Sequence, residues 1–123
     1  MGSWLYYLAA AVVVAWGVAH LFATRNVVRG FADISVDNRR VITMEWIVEG
    51  AALIFIGCLV AGVTLVDPAS AASHTVYWLC FGMLNVMSLI SLFTGFKVDF
   101  LAYRLCPVVF TGASILLLLG LLA

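Results

Sequence analysis

Four long apolar segments limit this chain to very few folds. They run from about Trp4 to Thr24, Val41 to Val66, His74 to Thr94 and Leu101 to Leu122. A helix rises about 1.5 Å per residue, so about 20 apolar residues cross the hydrocarbon core of a membrane. Runs such as Ala9 to Ala15 lack the alternating polarity of a barrel strand. The sequence therefore predicts an all-α membrane bundle of four helices, with residues 1–123 forming a single transmembrane domain.

The composition supports a membrane location. Hydrophobic residues make up 66% of the chain, charged residues make up 10%, and the mean hydropathy is +1.20. A soluble domain of this size needs more polar surface to cover its core. The segment from Trp4 to Phe22 has no Lys or Arg before it, so we interpret it as a retained membrane helix. We expect a multi-pass protein of the cell membrane that contacts the lipid bilayer and binds no nucleic acid.

The basic residues lie beside two of the three connections between these segments. The first connection, residues 25–40, and the third, residues 95–100, contain or adjoin Arg25, Arg29, Arg39, Arg40, Lys97 and Arg104. The second connection and both ends of the chain contain no Lys or Arg. Basic loops are retained in the cytoplasm when a membrane protein inserts. The pattern therefore predicts that loops 25–40 and 95–100 are cytoplasmic and that both chain ends lie outside.

Small residues indicate which helices pack closely, because helices in lipid associate where their backbones can approach. The first helix carries an alanine every four residues, at Ala11, Ala15, Ala19 and Ala23. The second helix offers Gly50, Gly57 and Ala61, and we expect these two faces to contact each other. At the helix starts, Asp37 or Asn38 could cap the second helix and Ser73 could cap the third.

Ionisable and polar residues inside the predicted helices are the candidate functional residues, because such groups are costly in lipid. Glu45 and Glu49 are four residues apart and share one face of the second helix. His20, Asn85 and Arg104 lie on the other three helices. We expect Glu49, His20, Asn85 and Arg104 to face one another in the cytoplasmic half, with Glu45 paired to Arg104 or to a loop arginine.

Two interpretations of this polar cluster remain open at this point. It could be a buried network that fixes the register of the helices, or a site for a proton, an ion or a small polar ligand. The chain has no HExxH, phosphate-binding loop or Ser-His-Asp pattern, so the sequence assigns no catalytic residue and no metal site. Cys58, Cys80 and Cys106 form no CxxC pattern. The depths of Cys58 and Cys80 would allow a redox pair, although small apolar packing explains all three cysteines more simply.

The run from Glu49 to Gly57 resembles the second-helix pattern of the DoxX-like families, in which an acid precedes small residues, an aliphatic run and a glycine. The order of helices and the polar turn from Gly17 to Phe22 are also similar to that layout. Thr24 and Arg25 stand where these families often have a lysine. The resemblance implies a membrane subunit linked to quinone or sulfur redox systems, while other members look like chaperones or cargo receptors.

These observations predict a small membrane subunit that binds a hydrophobic or weakly polar ligand around Glu49 and His20. The ligand could be quinone-like or a lipid, and the site would be a cleft in the cytoplasmic half between helices 1, 2 and 4. We expect a homo-oligomer or a partner complex, and not a stand-alone enzyme. One alternative is an oligomeric transporter or channel coupled to protons or cations, and another is a structural assembly factor.

Overall fold

The computed structural model describes residues 2–123, and all regular structure in this range is helical. The helices are α1 (Ser3–Gly30), α2 (Val36–Val66), α3 (Ala71–Phe93), a short 3-10 helix (Gly95–Lys97) and α4 (Leu101–Leu122). Four helical spans in this range are long and apolar enough to cross a membrane. The prediction of an all-α chain with four membrane-length helices is therefore confirmed.

The first two helices extend beyond the ends that hydropathy predicts. α1 continues past Thr24 to Gly30, and α2 begins at Val36 instead of Val41. Hydropathy reports where a chain leaves the hydrocarbon, whereas arginine is a good helix former and allows the helix to continue. The predicted 16-residue loop, residues 25–40, is reduced to residues 31–35. In this turn Asp33 has a φ of 57°, a left-handed conformation that aspartate tolerates better than most residues.

Two serines cap helices in positions that the sequence analysis did not identify. The Ser35 hydroxyl accepts a hydrogen bond from the backbone N–H of Asn38 at 3.1 Å, and Ser70 does the same for Ser73 at 3.1 Å. Each helix starts earlier than predicted, so the predicted caps fall inside the first turn. The Ser73 hydroxyl instead donates to the carbonyl oxygen of Asp67 at 2.6 Å and joins the start of α3 to the end of α2.

Each helix packs against its neighbours around the bundle. α1 and α2 form the most extensive contact, α3 packs mainly on α4, α1 also packs on α4, and the contact between α2 and α3 is the smallest. The bundle therefore consists of two helix pairs, α1–α2 and α3–α4. The core between them is formed by Tyr6, Ala9, Ala10, Val13, Leu53, Val60, Tyr77, Cys80, Leu84, Cys106, Phe110, Ala113 and Leu117.

Glycines bring α1 and α2 together. A Cβ atom on Gly57 would lie 2.7 Å from the carbonyl oxygen of Ala10, so Gly57 contacts α1 as predicted. The predicted alanine face of α1 is wrong, because Ala11, Ala15 and Ala19 are exposed. With 3.6 residues per turn, a spacing of four moves steadily around the helix. The buried positions alternate spacings of three and four instead, at Ala10, Val13, Gly17, His20 and Thr24.

The end of the bundle opposite the arginines is closed by two tyrosines. The rings of Tyr6 and Tyr77 stack with centroids 3.8 Å apart and planes 11° apart. The Thr64 hydroxyl donates to the carbonyl oxygen of Val60 at 2.6 Å, and it also lies 2.9 Å from the hydroxyl of Tyr77. Because Thr64 has only one hydroxyl hydrogen, Tyr77 is the donor in the second bond. This arrangement links α1, α2 and α3 at what we call the tyrosine end.

All three cysteines are free thiols in the described part of the chain. Cys58 is exposed on the surface of α2, whereas Cys80 and Cys106 are buried. The redox pair between Cys58 and Cys80 that their depths would allow is therefore not formed. The two buried thiols pack as small apolar residues in the core.

Candidate functional site

His20 is the most deeply buried ionisable side chain among the predicted site residues. Only 4% of the residue is exposed, and its ring nitrogen Nδ1 lies 2.9 Å from the backbone carbonyl oxygen of Trp16. A carbonyl oxygen only accepts hydrogen bonds, so Nδ1 carries the hydrogen in this contact. The second ring nitrogen, Nε2, lies 3.5 Å from Oε1 of Glu49 on α2. The backbone of α1 therefore orients the ring so that Nε2 faces the carboxyl group.

The protonation of the two facing atoms decides whether the His20–Glu49 contact is attractive. If Nε2 and Oε1 were both unprotonated, two lone pairs would face each other at 3.5 Å and repel. The contact is attractive when either atom carries a hydrogen, as imidazolium with carboxylate or as neutral histidine with carboxylic acid. The side chain of His20 is 5% exposed and that of Glu49 is 40% exposed. The pair can therefore hold a proton that reaches it through Glu49.

Aromatic rings from two helices contact His20, and a ring from a third helix packs against one of them. Trp46 on α2 stacks on the imidazole with centroids 4.8 Å apart, and Trp16 on α1 contacts it edge-on at 5.6 Å. Tyr103 on α4 contacts Trp46 edge-on at 5.6 Å. We call His20, Trp16, Trp46 and Tyr103 the aromatic cluster. Sequence reasoning missed its three non-histidine members, although Trp16 is four residues from His20 and Trp46 is three residues from Glu49.

Three of the five predicted site residues do not join this cluster. The side-chain amide of Asn85 donates to the carbonyl oxygen of Phe81 at 2.7 Å, within its own helix. Arg104 pairs with Asp99 at 3.0 Å, in the connection just before α4. Glu45 is exposed and forms no salt bridge within residues 2–123. The expected meeting of all four helices is therefore reduced to the contact between His20 and Glu49.

One donor in the aromatic cluster has no hydrogen-bond partner. The indole Nε1 of Trp16 is buried and unbonded in the described residues. Its polar neighbour on α4 is the thiol of Cys106, and sulfur is only a weak acceptor. A buried donor without an acceptor costs about 1–3 kcal/mol. Within residues 2–123, the thiol of Cys106 is therefore the weak acceptor beside the indole N–H of Trp16.

A cavity of about 250 Å³ opens next to the aromatic cluster, at the end of the bundle that carries the arginines, which we call the basic end. It is lined by Asn26, Val27, Gly30, Phe31, Val98, Phe100 and Tyr103. The lining is apolar and aromatic apart from the Asn26 amide and the Tyr103 hydroxyl. The expected cleft lay between helices 1, 2 and 4, whereas this cavity lies between α1, the connection before α4, and α4. Tyr103 belongs to both the cavity and the aromatic cluster.

The site combines a histidine–carboxyl contact, packed aromatic rings and an adjoining apolar cavity. Within residues 2–123 no group of three or more His, Cys, Asp or Glu side chains is placed to hold a metal ion. Comparison of the chain with protein-family models, with curated proteins and with solved structures gave no match.

Proposed function

We propose that this protein is a small membrane subunit that binds a flat, quinone-like ligand at the basic end of the bundle. The observation that carries the proposal is the buried histidine, oriented by the Trp16 carbonyl and paired at 3.5 Å with the carboxyl group of Glu49. Aromatic rings contact His20, and an apolar cavity adjoins the aromatic cluster. The proposal agrees with the quinone-linked role implied by the resemblance of the Glu49 segment to DoxX-like families.

The cavity supports a ring-shaped ligand with a long apolar tail. Sites for drug-sized ligands usually measure about 300–1,000 Å³, so a cavity of about 250 Å³ suits a single ring. A quinone ring would stack on the face of Tyr103 or Phe100 and meet the other ring at an angle, since those two rings lie 5.8 Å apart with planes at 63°. Its carbonyl oxygens would accept hydrogen bonds from Asn26 or Tyr103.

The role proposed for the His20–Glu49 pair is proton exchange. A quinone takes up two electrons and two protons when it becomes a quinol, so its site needs a group that donates and accepts protons. In this role the pair would share one proton between Nε2 and Oε1, and the more exposed Glu49 would connect it to the surroundings. The proposal limits this chain to ligand binding and proton exchange. Electron transfer is assigned to a partner complex in the same membrane.

Tryptophan fluorescence tests ligand binding directly, because quinones quench nearby indoles. The protein is reconstituted in lipid nanodiscs and titrated with decylubiquinone. We expect saturable quenching that falls in amplitude in Trp46→Phe, since Trp46 contacts Tyr103 at the cavity. Tyr103→Ala should weaken the ligand affinity about fivefold, because an aromatic pair contributes about 1 kcal/mol.

Matched variants separate the site from general effects on the bundle. Tyr7→Ala removes an exposed tyrosine from the opposite end and should leave the affinity unchanged. Glu49→Gln should alter the pH dependence of binding, whereas Glu45→Gln, one turn away on the same helix, should not. Quenching that rises linearly with the quinone concentration in every variant would mean that the ligand dissolves in lipid without a site.

A transporter or channel is the second candidate, and one observation favours it. Glu45 is exposed, and the side chain of Glu49 is 40% exposed on the same side of α2. Carboxylates on the outer surface of a membrane helix are costly unless another surface covers them. An oligomer would provide that surface and could line a path for protons or cations. Proton flux into liposomes, measured with an internal pH-sensitive dye and abolished in Glu49→Gln, would favour this candidate over the ligand-binding subunit.

A further inference from the structure

Three arginines line one groove at the basic end, between the end of α1 and the start of α2. Arg25, Arg29 and Arg39 surround a space of about 600 Å³. The rest of the lining is Leu21, Thr24, Val28, Thr43 and Ile47. Arg25 and Arg29 are four residues apart and share one face of α1, and Arg39 faces them from α2. We call this feature the arginine groove.

The charge in the groove is not neutralised by the protein. Arg40 pairs with Asp37 at 3.5 Å and Arg104 pairs with Asp99 at 3.0 Å. In residues 2–123 no carboxylate lies within the 4.0 Å salt-bridge distance of Arg25, Arg29 or Arg39. Three guanidinium groups therefore share one concave surface without an acidic partner. Binding of an anion to this surface is electrostatically favourable.

The hydrogen-bond donors available in the groove are the guanidinium groups. The hydroxyl of Thr24 donates to the backbone carbonyl oxygen of His20 at 2.8 Å, and the hydroxyl of Thr43 donates to the backbone carbonyl oxygen of Arg39 at 2.8 Å. Both hydroxyl hydrogens are therefore already used. Arg39 uses one N–H on the carbonyl oxygen of Val28 at 3.3 Å and has four others. Planar guanidinium groups match the oxygen geometry of a phosphate, which they bind in bidentate fashion.

The position along the helices places the arginines at the depth of lipid headgroups. α1 has 28 residues and is about 42 Å long, whereas the hydrocarbon core is about 30 Å thick. The last two turns of α1, with Arg25 and Arg29, therefore lie in the headgroup layer when the first turns reach the opposite interface. Leu21 and Ile47 lie on the hydrocarbon side of the same groove. The groove is charged on its headgroup side and apolar on its hydrocarbon side. It therefore matches a phospholipid, which has a charged headgroup and apolar acyl chains.

We propose that the arginine groove binds an anionic phospholipid, with its phosphate on Arg25, Arg29 and Arg39 and an acyl chain along Leu21 and Ile47. Basic pockets between membrane helices are suited to acidic headgroups. A free phosphate ion would use the arginines alone and leave the apolar half of the space unfilled. A zwitterionic lipid would bring its own cationic group into a region that already holds three unpaired cations.

Native mass spectrometry of the detergent-solubilised protein tests this proposal. Phosphatidylglycerol and phosphatidylcholine with identical acyl chains are added in equal amounts, and the retained lipid is counted. We expect the wild-type chain to retain phosphatidylglycerol several-fold more than phosphatidylcholine. Each Arg→Gln change in the groove should lower that preference about fivefold at most, since one basic residue contributes about 1 kcal/mol to binding an acidic lipid. The variant Arg25→Gln/Arg29→Gln/Arg39→Gln should retain the two lipids equally.

Lys97→Gln is the matched control, because it removes one positive charge near the same end from a residue that does not line the groove. It should keep the lipid preference of the wild type. Arg25→Lys/Arg29→Lys/Arg39→Lys keeps the charge and should keep most of the preference, even if the glutamine variant fails to fold. Equal retention of both lipids by the wild type, or full displacement of phosphatidylglycerol by millimolar inorganic phosphate, would overturn the proposal.

Discussion

Gly17 and Gly50 hold the backbones of α1 and α2 in contact, since a Cβ atom on Gly17 would lie 2.7 Å from the carbonyl oxygen of Gly50. Lipid provides no hydrophobic force between helices, so dispersion contacts at such close distances stabilise the pair. The same interface carries His20, three residues after Gly17, and Glu49, which precedes Gly50. The glycine contact therefore sets the distance across which the two ionisable groups meet.

Gly17→Ala and Gly57→Ala should both destabilise the bundle. The added methyl group would meet a backbone carbonyl oxygen at 2.7 Å in each case, and backbone atoms cannot move aside as a side chain can. Overpacking of this kind costs about 1–3 kcal/mol. The free energy of unfolding in SDS, measured by far-UV circular dichroism, would show the loss. Gly62→Ala is the control on α2, because nothing lies within 4 Å of its added Cβ. It should be at least as stable as the wild type, since alanine is favoured over glycine in a helix by about 0.5–1 kcal/mol.

Tyr77→Phe should weaken the tyrosine end. The change removes the hydroxyl that donates to Thr64 at 2.9 Å and leaves the ring stacked on Tyr6. Hydrogen bonds between membrane helices contribute about 0.6 kcal/mol on average, with a maximum of about 1.7. A double-mutant cycle with Thr64→Val should recover that interaction energy. Tyr7→Phe alters an exposed hydroxyl and should have no effect, and a zero coupling energy would contradict the assigned hydrogen bond.

The ring of His20 should keep its hydrogen on Nδ1 even without Glu49. The Trp16 carbonyl at 2.9 Å requires that hydrogen independently of the carboxyl group. ¹⁵N NMR of histidine-labelled protein in nanodiscs distinguishes protonated from bare ring nitrogens. Neutral His20 in Glu49→Leu should show a protonated Nδ1 and a bare Nε2. His74→Gln removes the signal of the other histidine and assigns the spectrum, and a predominantly Nε2-protonated ring would refute the assigned geometry.

The proposed orientation places the basic end in the cytoplasm. Ser35→Cys lies in the connection between α1 and α2, and Ala69→Cys lies in the connection between α2 and α3. In a background without the native cysteines, a membrane-impermeant maleimide added to intact cells should label Ala69→Cys and leave Ser35→Cys unlabelled. Permeabilised cells should show labelling of both. Labelling of Ser35→Cys in intact cells would reverse the orientation.

The sequence was sufficient to predict the helices but not their ends. The apolar segments are visible to hydropathy because lipid selects for them along their whole length. Arg25 and Arg29 looked like loop residues, yet they continue α1 because a helix does not need to stop where the hydrocarbon stops. The start of α2 was misplaced for the same reason, and with it the capping residue Ser35.

The polar site was predicted in part for a different reason. The cost of burying an ionisable group identified Glu49 and His20, which the structure brings together. Asn85 was assigned to the same site because of its depth, but its amide bonds to a carbonyl oxygen one turn earlier and needs no partner from another helix. The direction of a side chain depends on the rotation of its helix, which hydropathy does not report. Trp46 was missed because a stacked ring and a lipid-facing ring are alike in sequence.

The unequal contacts among the four helices have a mechanical consequence. α1 and α2 meet backbone to backbone at Gly17 and Gly57, whereas α2 and α3 share the smallest contact in the bundle. Hydrogen bonds from the hydroxyl groups of Ser73 and Tyr77 join α3 to α2, and both lie at the tyrosine end. If the bundle opens to admit a ligand, α2 and α3 separate first at the basic end, because their contacts at the tyrosine end hold them together there.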